Sequence, residues 1–153
     1  AAGAQVTHVD ASKGMVTWAK ENAVSSGLGD APIRWLVDDC VKFVEREIRR
    51  GNTYDAIIMD PPSYGRGPKG EIWKIEDMIH PLIKLCTKIL SKDALFFLVN
   101  SYTTGLAPAV LTYMISTELK PWNGHVDSQE IGLPVTDSGL VLPCGASGRW
   151  ERD

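Results

Sequence analysis

Apolar and polar residues alternate along the chain in blocks whose period switches repeatedly between two and 3.6, the signature of strands interleaved with helices. In residues 5–10, QVTHVD, the side chains alternate and the run ends on Asp10, which predicts a short strand. Ser12 follows as an N-cap, and Met15, Val16, Ala19, Ala23 and Val24 recur at helical spacing until Gly27. Residues 33–38 predict a second strand, closed by Asp38 and Asp39; Val41, Val44 and Ile48 mark the next helix, which Gly51 ends. Residues 54–60, YDAIIMD, form an apolar run between charged ends, the pattern of a strand buried on both faces.

Pro61 and Pro62 stop that strand, and residues 65–70, GRGPKG, read as a glycine-rich loop. A helical stripe runs from Ile75 through Met78, Ile79, Leu82, Ile83 and Cys86 to Ile89 and Leu90, with Pro81 inside it predicting a kink or a later start. Residues 94–99 predict another doubly buried strand, and residues 106–119 a helix with Pro108 in its first turn. Two strands at 125–133 and 140–150, joined by the turn Thr136-Asp-Ser-Gly139, close the chain without an intervening helix. Strand and helix therefore alternate before an antiparallel pair, which predicts an α/β fold with a mostly parallel sheet and one reversed strand. No repeat, linker or low-complexity tract interrupts it, so residues 1–153 are expected to form a single domain.

Composition narrows the class. With 44% apolar and 23% charged residues, the 153-residue chain fits a globular domain with a real core. The net charge of −3 excludes a broad non-specific nucleic-acid footprint, so a polynucleotide would be met by a local patch. The three cysteines Cys40, Cys86 and Cys144 lack the spacing of a disulfide framework or zinc site and suit a reducing compartment, the cytoplasm. His8, His80 and His125 stand singly, so no metal is expected. No apolar run is long enough for a membrane span, and no membrane partner is expected. The opening, AAGAQVTHVD, enters a strand almost at once, which suggests a chain cut inside a domain.

In open α/β sheets, ligands bind beyond the carboxyl ends of the strands. Those ends carry Asp10, Asp38 with Asp39, Asp60-Pro-Pro-Ser-Tyr64, and Asn100-Ser-Tyr102. A carboxylate at such a position can accept two hydrogen bonds from the vicinal hydroxyls of a ribose; it can equally cap the following helix, and Asp10 is open to both readings. Asp39-Cys40 could meet an adenine edge, the Asp accepting from the amino group and the Cys40 backbone N–H donating to a ring nitrogen. For Asp39 taken alone, capping is the stronger reading. Strand register decides which of Asp38 and Asp39 faces a ligand, and Asp39 is favoured here. The sharpest signal is Asp60-Pro-Pro-Ser-Tyr64: two prolines hold a rigid turn without N–H groups, leaving its carbonyls and the Asp60 carboxylate as outward acceptors, with Tyr64 placed to stack on a planar group.

In this order the motifs resemble class I S-adenosylmethionine-dependent methyltransferases. The segments VTHVDASKGMVTWAKENA, DDCVKFVEREIRRG and IIMDPPSYGRG look like the bacterial large-subunit ribosomal RNA methyltransferases that modify cytosine or guanine. The resemblance implies a Rossmann-like sheet with a C-terminal antiparallel hairpin, S-adenosylmethionine as cofactor and an RNA substrate. It assigns Asp10, Ser12, Lys13, Asp39 and Cys40 to the cofactor, and Asp60, Pro61 and Tyr64 to catalysis. Ser63, Arg66, Lys69 and Asn100 fall to the substrate, with Arg66, Lys69 and Lys74 forming a small basic edge beside the turn. Two departures stand out. The family's first strand and glycine-rich cofactor loop are missing, so a strand exchanged between chains, hence self-association, or a longer polypeptide is expected. The cysteine nucleophile of cytosine-C5 enzymes is also missing, since the position after residues 94–99 reads Asn100-Ser-Tyr-Thr-Thr104. A nitrogen acceptor, which needs no protein nucleophile, is therefore favoured. Alternatives are a non-catalytic remnant of such a domain, or a nicotinamide dinucleotide enzyme, which leaves the Pro-Pro turn unexplained.

Overall fold

A computed structural model describes residues 1–67, 70–103 and 105–153. The elements run β1 (Val6–Asp10), α1 (Lys13–Ser25), β2 (Ile33–Val37), α2 (Cys40–Arg50), β3 (Ala56–Met59), β4 (Tyr64–Arg66), β5 (Ile72–Lys74), α3 (Ile75–Thr87), β6 (Phe96–Ser101), α4 (Pro108–Glu118), β7 (His125–Pro134) and β8 (Val141–Glu151). They fall into two compact units, Ala1–Arg50 and Gly51–Asp153.

In the first unit β1 and β2 pair in parallel, Val6 opposite Ile33 and Asp10 opposite Val37. Parallel pairing requires a crossover, and α1 supplies it, packing on both strands. Ser12 is the N-cap of α1, accepting the Met15 N–H on its hydroxyl, as the sequence predicts. Gly27 and Gly51, after the two helices, adopt positive φ, the left-handed stop that only glycine takes without strain. Val16 of α1 and Phe43 and Val44 of α2 are the buried apolar residues of this unit.

The second unit holds a four-stranded sheet in the order β3-β6-β8-β7, with β3 and β6 parallel and the other pairs antiparallel. The closing hairpin is where the sequence places it, and Gly139 in its turn has positive φ. α4 begins with Pro108, whose missing N–H would have no partner in a first turn, and packs on β7 and β8. Phe97 and Val99 of β6, Ile75 and Ile83 of α3, Leu111 and Ile115 of α4, and Trp150 of β8 are almost wholly buried. Burial of each such side chain contributes about 1.5–3 kcal/mol against exposure, so this cluster anchors the strand ends that follow.

Four expectations need correction. Residues 54–60 are not buried on both faces: β3 is four residues long and Ile58 is 65% exposed, so apolarity there does not report burial. Within residues 65–70 the chain is not simply a loop, because Tyr64–Arg66 and Ile72–Lys74 pair as a short antiparallel hairpin. α3 starts at Ile75 and contains Pro81, so a later start is excluded. Residues 94–99 likewise are fully buried on one face only, with Leu95 59% exposed and Phe96 and Leu98 half-buried; the remainder matches the predicted α/β alternation.

Candidate active site

In the first unit, parallel pairing brings the carboxyl ends of β1 and β2 to one edge, where the Asp38 N–H donates to the Asp10 carbonyl at 2.9 Å. Asp10 is half-buried, and its Oδ1 accepts the Ser12 N–H at 2.6 Å. One carboxylate oxygen thus shapes the turn into α1, which is the capping role, while the other has no partner among the described residues. Asp38 is committed elsewhere: Oδ1 accepts the Asp39 N–H and Oδ2 pairs with Arg46 on α2. Asp39 is exposed and accepts the Lys42 N–H on Oδ1 at 2.9 Å, capping α2 as well. Asp38 is thus turned to an ion pair with Arg46, and Asp39 is exposed. The Cys40 thiol donates to the Val9 carbonyl at 3.7 Å, tying the start of α2 to β1. Ser12 and Lys13 are exposed beside Asp10. The acceptors suit the hydroxyls and amino group of a nucleoside: two carboxylates on one edge, each holding a helix start with one oxygen and keeping a second acceptor.

In the second unit, Met59 is opposite Val99, so Asp60 and Asn100 follow at the same end of two parallel strands. Asp60 is exposed and has no partner among the described residues, and Asn100 is half-buried. Asp60, Pro61, Ser63 and Tyr64 are thereby brought to one strand end together with Asn100. Tyr64 is 51% exposed, and its hydroxyl accepts from Arg66 Nε at 3.0 Å, which draws the guanidinium beside it. Arg66 and Lys74 lie at opposite ends of the β4–β5 hairpin, Arg66 facing Ile72 and Lys74 facing Tyr64. Lys69 lies outside the described residues.

The turn itself differs from expectation. Its carbonyls do not all face outward: that of Pro62 accepts the Trp73 indole N–H at 2.6 Å, and that of Ser63 accepts the Ile75 N–H at 3.1 Å. The Ser63 hydroxyl lies 2.6 Å from that of Thr103, which joins the turn to the segment after β6. Sequence reasoning missed Trp73 and Thr103. Trp73 had a signal, a single aromatic a few residues after a Pro-Pro turn; Thr103 had none.

None of the cysteines is disulfide-bonded, and Cys86 is buried in the core as predicted. Among the described residues no cluster of His, Cys, Asp and Glu is arranged to hold a metal ion. No helix is long and apolar enough to cross a membrane.

With this geometry in view, comparison with solved structures is decisive for the fold. The chain superposes on a SAM-dependent methyltransferase from Agrobacterium tumefaciens with a TM-score of 0.88 and 41% identity, covering 98% of this chain and 50% of that one. Its fold is that of the Rossmann-like S-adenosylmethionine-dependent methyltransferases. A methyltransferase solved in complex with SAH also shares this methyltransferase fold, with a TM-score of 0.72 at 20% identity over 94% of this chain and 38% of that one. In sequence the chain resembles ribosomal RNA large subunit methyltransferase K/L of Shewanella frigidimarina, 31% identical over 85 residues, 52% of this chain and 12% of the relative. It also resembles ribosomal RNA large subunit methyltransferase K of Neisseria meningitidis serogroup B, 28% identical over 94 residues, 61% of this chain and 27% of the relative. The methyltransferase-like chain thus spans about half of the Agrobacterium chain and a smaller share of these relatives. No protein-family profile matches it.

Proposed function

We propose that this chain acts within an S-adenosylmethionine-dependent methyltransferase that modifies a base of large-subunit ribosomal RNA at nitrogen, and that residues 1–153 belong to one catalytic domain. The observation that carries the reading is the end of β3: an exposed Asp60 on a proline-locked turn, beside a half-exposed Tyr64 and level with Asn100. The named relatives and the shared methyltransferase fold support it.

The bound cofactor would supply an electrophilic methyl group. Asp10 would hold its ribose through the oxygen that Ser12 does not use, Ser12 and Lys13 would flank it, and Asp39 with Cys40 would meet the adenine edge. On the acceptor side, the Asp60 carboxylate can orient an amine and take its proton, with Pro61 fixing the backbone that carries it. Tyr64 can stack on a base drawn out of its helix, Ser63 and Asn100 can meet the base edge, and Arg66 and Lys74 can meet phosphates. A nitrogen acceptor is favoured because Asn100 to Thr103 holds no cysteine and Cys86 is buried. Transfer then depends on positioning and exclusion of water rather than on a covalent intermediate. The reducing environment that three cysteines outside any disulfide suit agrees with a cytoplasmic enzyme.

Self-association is proposed as well, and sedimentation of the full-length protein tests it: a monomer at working concentration would overturn it. The catalytic reading is tested by offering the full-length protein that contains this chain labelled cofactor and ribosomal RNA from a strain lacking its gene, then identifying the nucleoside by mass. One methylated base that carries the group on nitrogen is expected. A methyl on C5 of cytosine would overturn the nitrogen assignment, and no transfer would overturn the enzyme.

A further inference from the structure

Two consecutive prolines remove two backbone donors, so the turn after β3 cannot hold itself by the N–H groups of Pro61 and Pro62. Its shape must come from groups that donate to its carbonyls or bond to its side chains. Trp73 is one of them. It lies in β5 directly opposite Gly65, and its indole reaches back along the hairpin to the Pro62 carbonyl, 2.6 Å from Nε1. The residue after next, Ile75, is 1% exposed in the core and donates its N–H to the Ser63 carbonyl, so the strand bearing Trp73 is pinned at its far end.

We propose that Trp73 is a positioning residue for methyl transfer: its indole N–H fixes the Pro62–Ser63 peptide plane, and so sets the directions in which Asp60 and Tyr64 leave the turn. This rests on the methyltransferase reading above. The Pro62 carbonyl has a single rotational freedom through its peptide plane, and that plane separates the carboxylate that orients the acceptor from the ring that stacks on it. A turn free to rock about this plane would still present both groups, but not together in one geometry. Small displacements of an acceptor from its line of attack are costly to rate and cheap to binding. Trp73 itself touches neither cofactor nor the reacting atoms in this role. The assignment also gives the β4–β5 hairpin a purpose, since three-residue strands contribute little stability alone.

The test uses the full-length protein that contains this chain, with two replacements at position 73. Trp73→Phe keeps an aromatic ring and removes the donor; 3-benzothienylalanine at the same position keeps the bicyclic shape and removes the donor alone. Because Trp73 is only half-buried, both should fold. Steady-state transfer to the undermethylated ribosomal RNA is expected to lose kcat by roughly tenfold in both, with KM for RNA and for cofactor within about twofold and melting temperature nearly unchanged. Wild-type kcat in the benzothienylalanine protein would overturn the proposal, as would a fall in kcat matched by a fall in folded fraction. If the unmodified full-length protein transfers nothing, the methyltransferase reading fails first and the role of Trp73 fails with it.

Discussion

Asp10 carries two duties in this account, and Asp10→Asn separates them. One carboxylate oxygen accepts the Ser12 N–H at 2.6 Å and shapes the entry to α1; the other is assigned to the cofactor ribose. Asparagine retains a carbonyl oxygen for Ser12 but replaces the second acceptor with an amide donor and removes the charge. A hydrogen bond to a charged group contributes about 1.5–3 kcal/mol, and each 1.4 kcal/mol is about tenfold in affinity. Affinity for S-adenosylhomocysteine should therefore fall about 10- to 150-fold by calorimetric titration, with little change in melting temperature. Asp10→Ala should lose the same affinity and, in addition, about 1 kcal/mol of stability from the lost turn contact. An Asp10→Asn protein that binds within threefold of the wild type would refute the ribose assignment and leave Asp10 a capping residue only.

The remaining predictions concern the acceptor chemistry and the core. Cys144→Ala, which removes a thiol donating to the Ile131 carbonyl at 3.4 Å, should leave methyl transfer within about twofold of wild type, because no covalent step uses it; loss of activity in a folded protein would restore a cysteine mechanism. Gly148→Ala should lower stability by about 1–3 kcal/mol in denaturant titration, since its Cβ would lie 2.8 Å from Ile115 Cδ1 and 2.9 Å from Leu111 Cβ where α4 meets β8. An unchanged midpoint would mean that α4 is not seated as described.

Most of the fold was legible because its elements are long and periodic. Ser12, Gly27, Gly51 and Pro108 stand at element ends where their backbone chemistry is required, so the boundaries followed from local rules. The β4–β5 hairpin was not legible: each strand has three residues, too few for alternation to register, and the glycines between them read as loop. Ile58 shows a second limit, since an apolar run reports what a strand can bury and not which of its faces is covered. At the site, strand-end carboxylates were readable because parallel strands put their ends on one edge. Asp38 and Asp39 needed the structure, which pairs Asp38 with Arg46 a full eight residues on and leaves Asp39 outward. The hold of Trp73 on Pro62 was beyond reach for the same reason: it depends on a hairpin that only tertiary pairing creates.

The central claim is that the proline-locked end of β3 receives a base for methylation at nitrogen. The most direct measurement compares wild type with Asp60→Asn in transfer of labelled methyl to ribosomal RNA from a strain lacking the gene, with digestion to nucleosides and mass analysis. The account predicts one N-methylated base from the wild type, none above background from the Asp60→Asn protein, and equal affinity of both for S-adenosylhomocysteine. Equal transfer by both proteins, or a methyl carried on carbon, would contradict it.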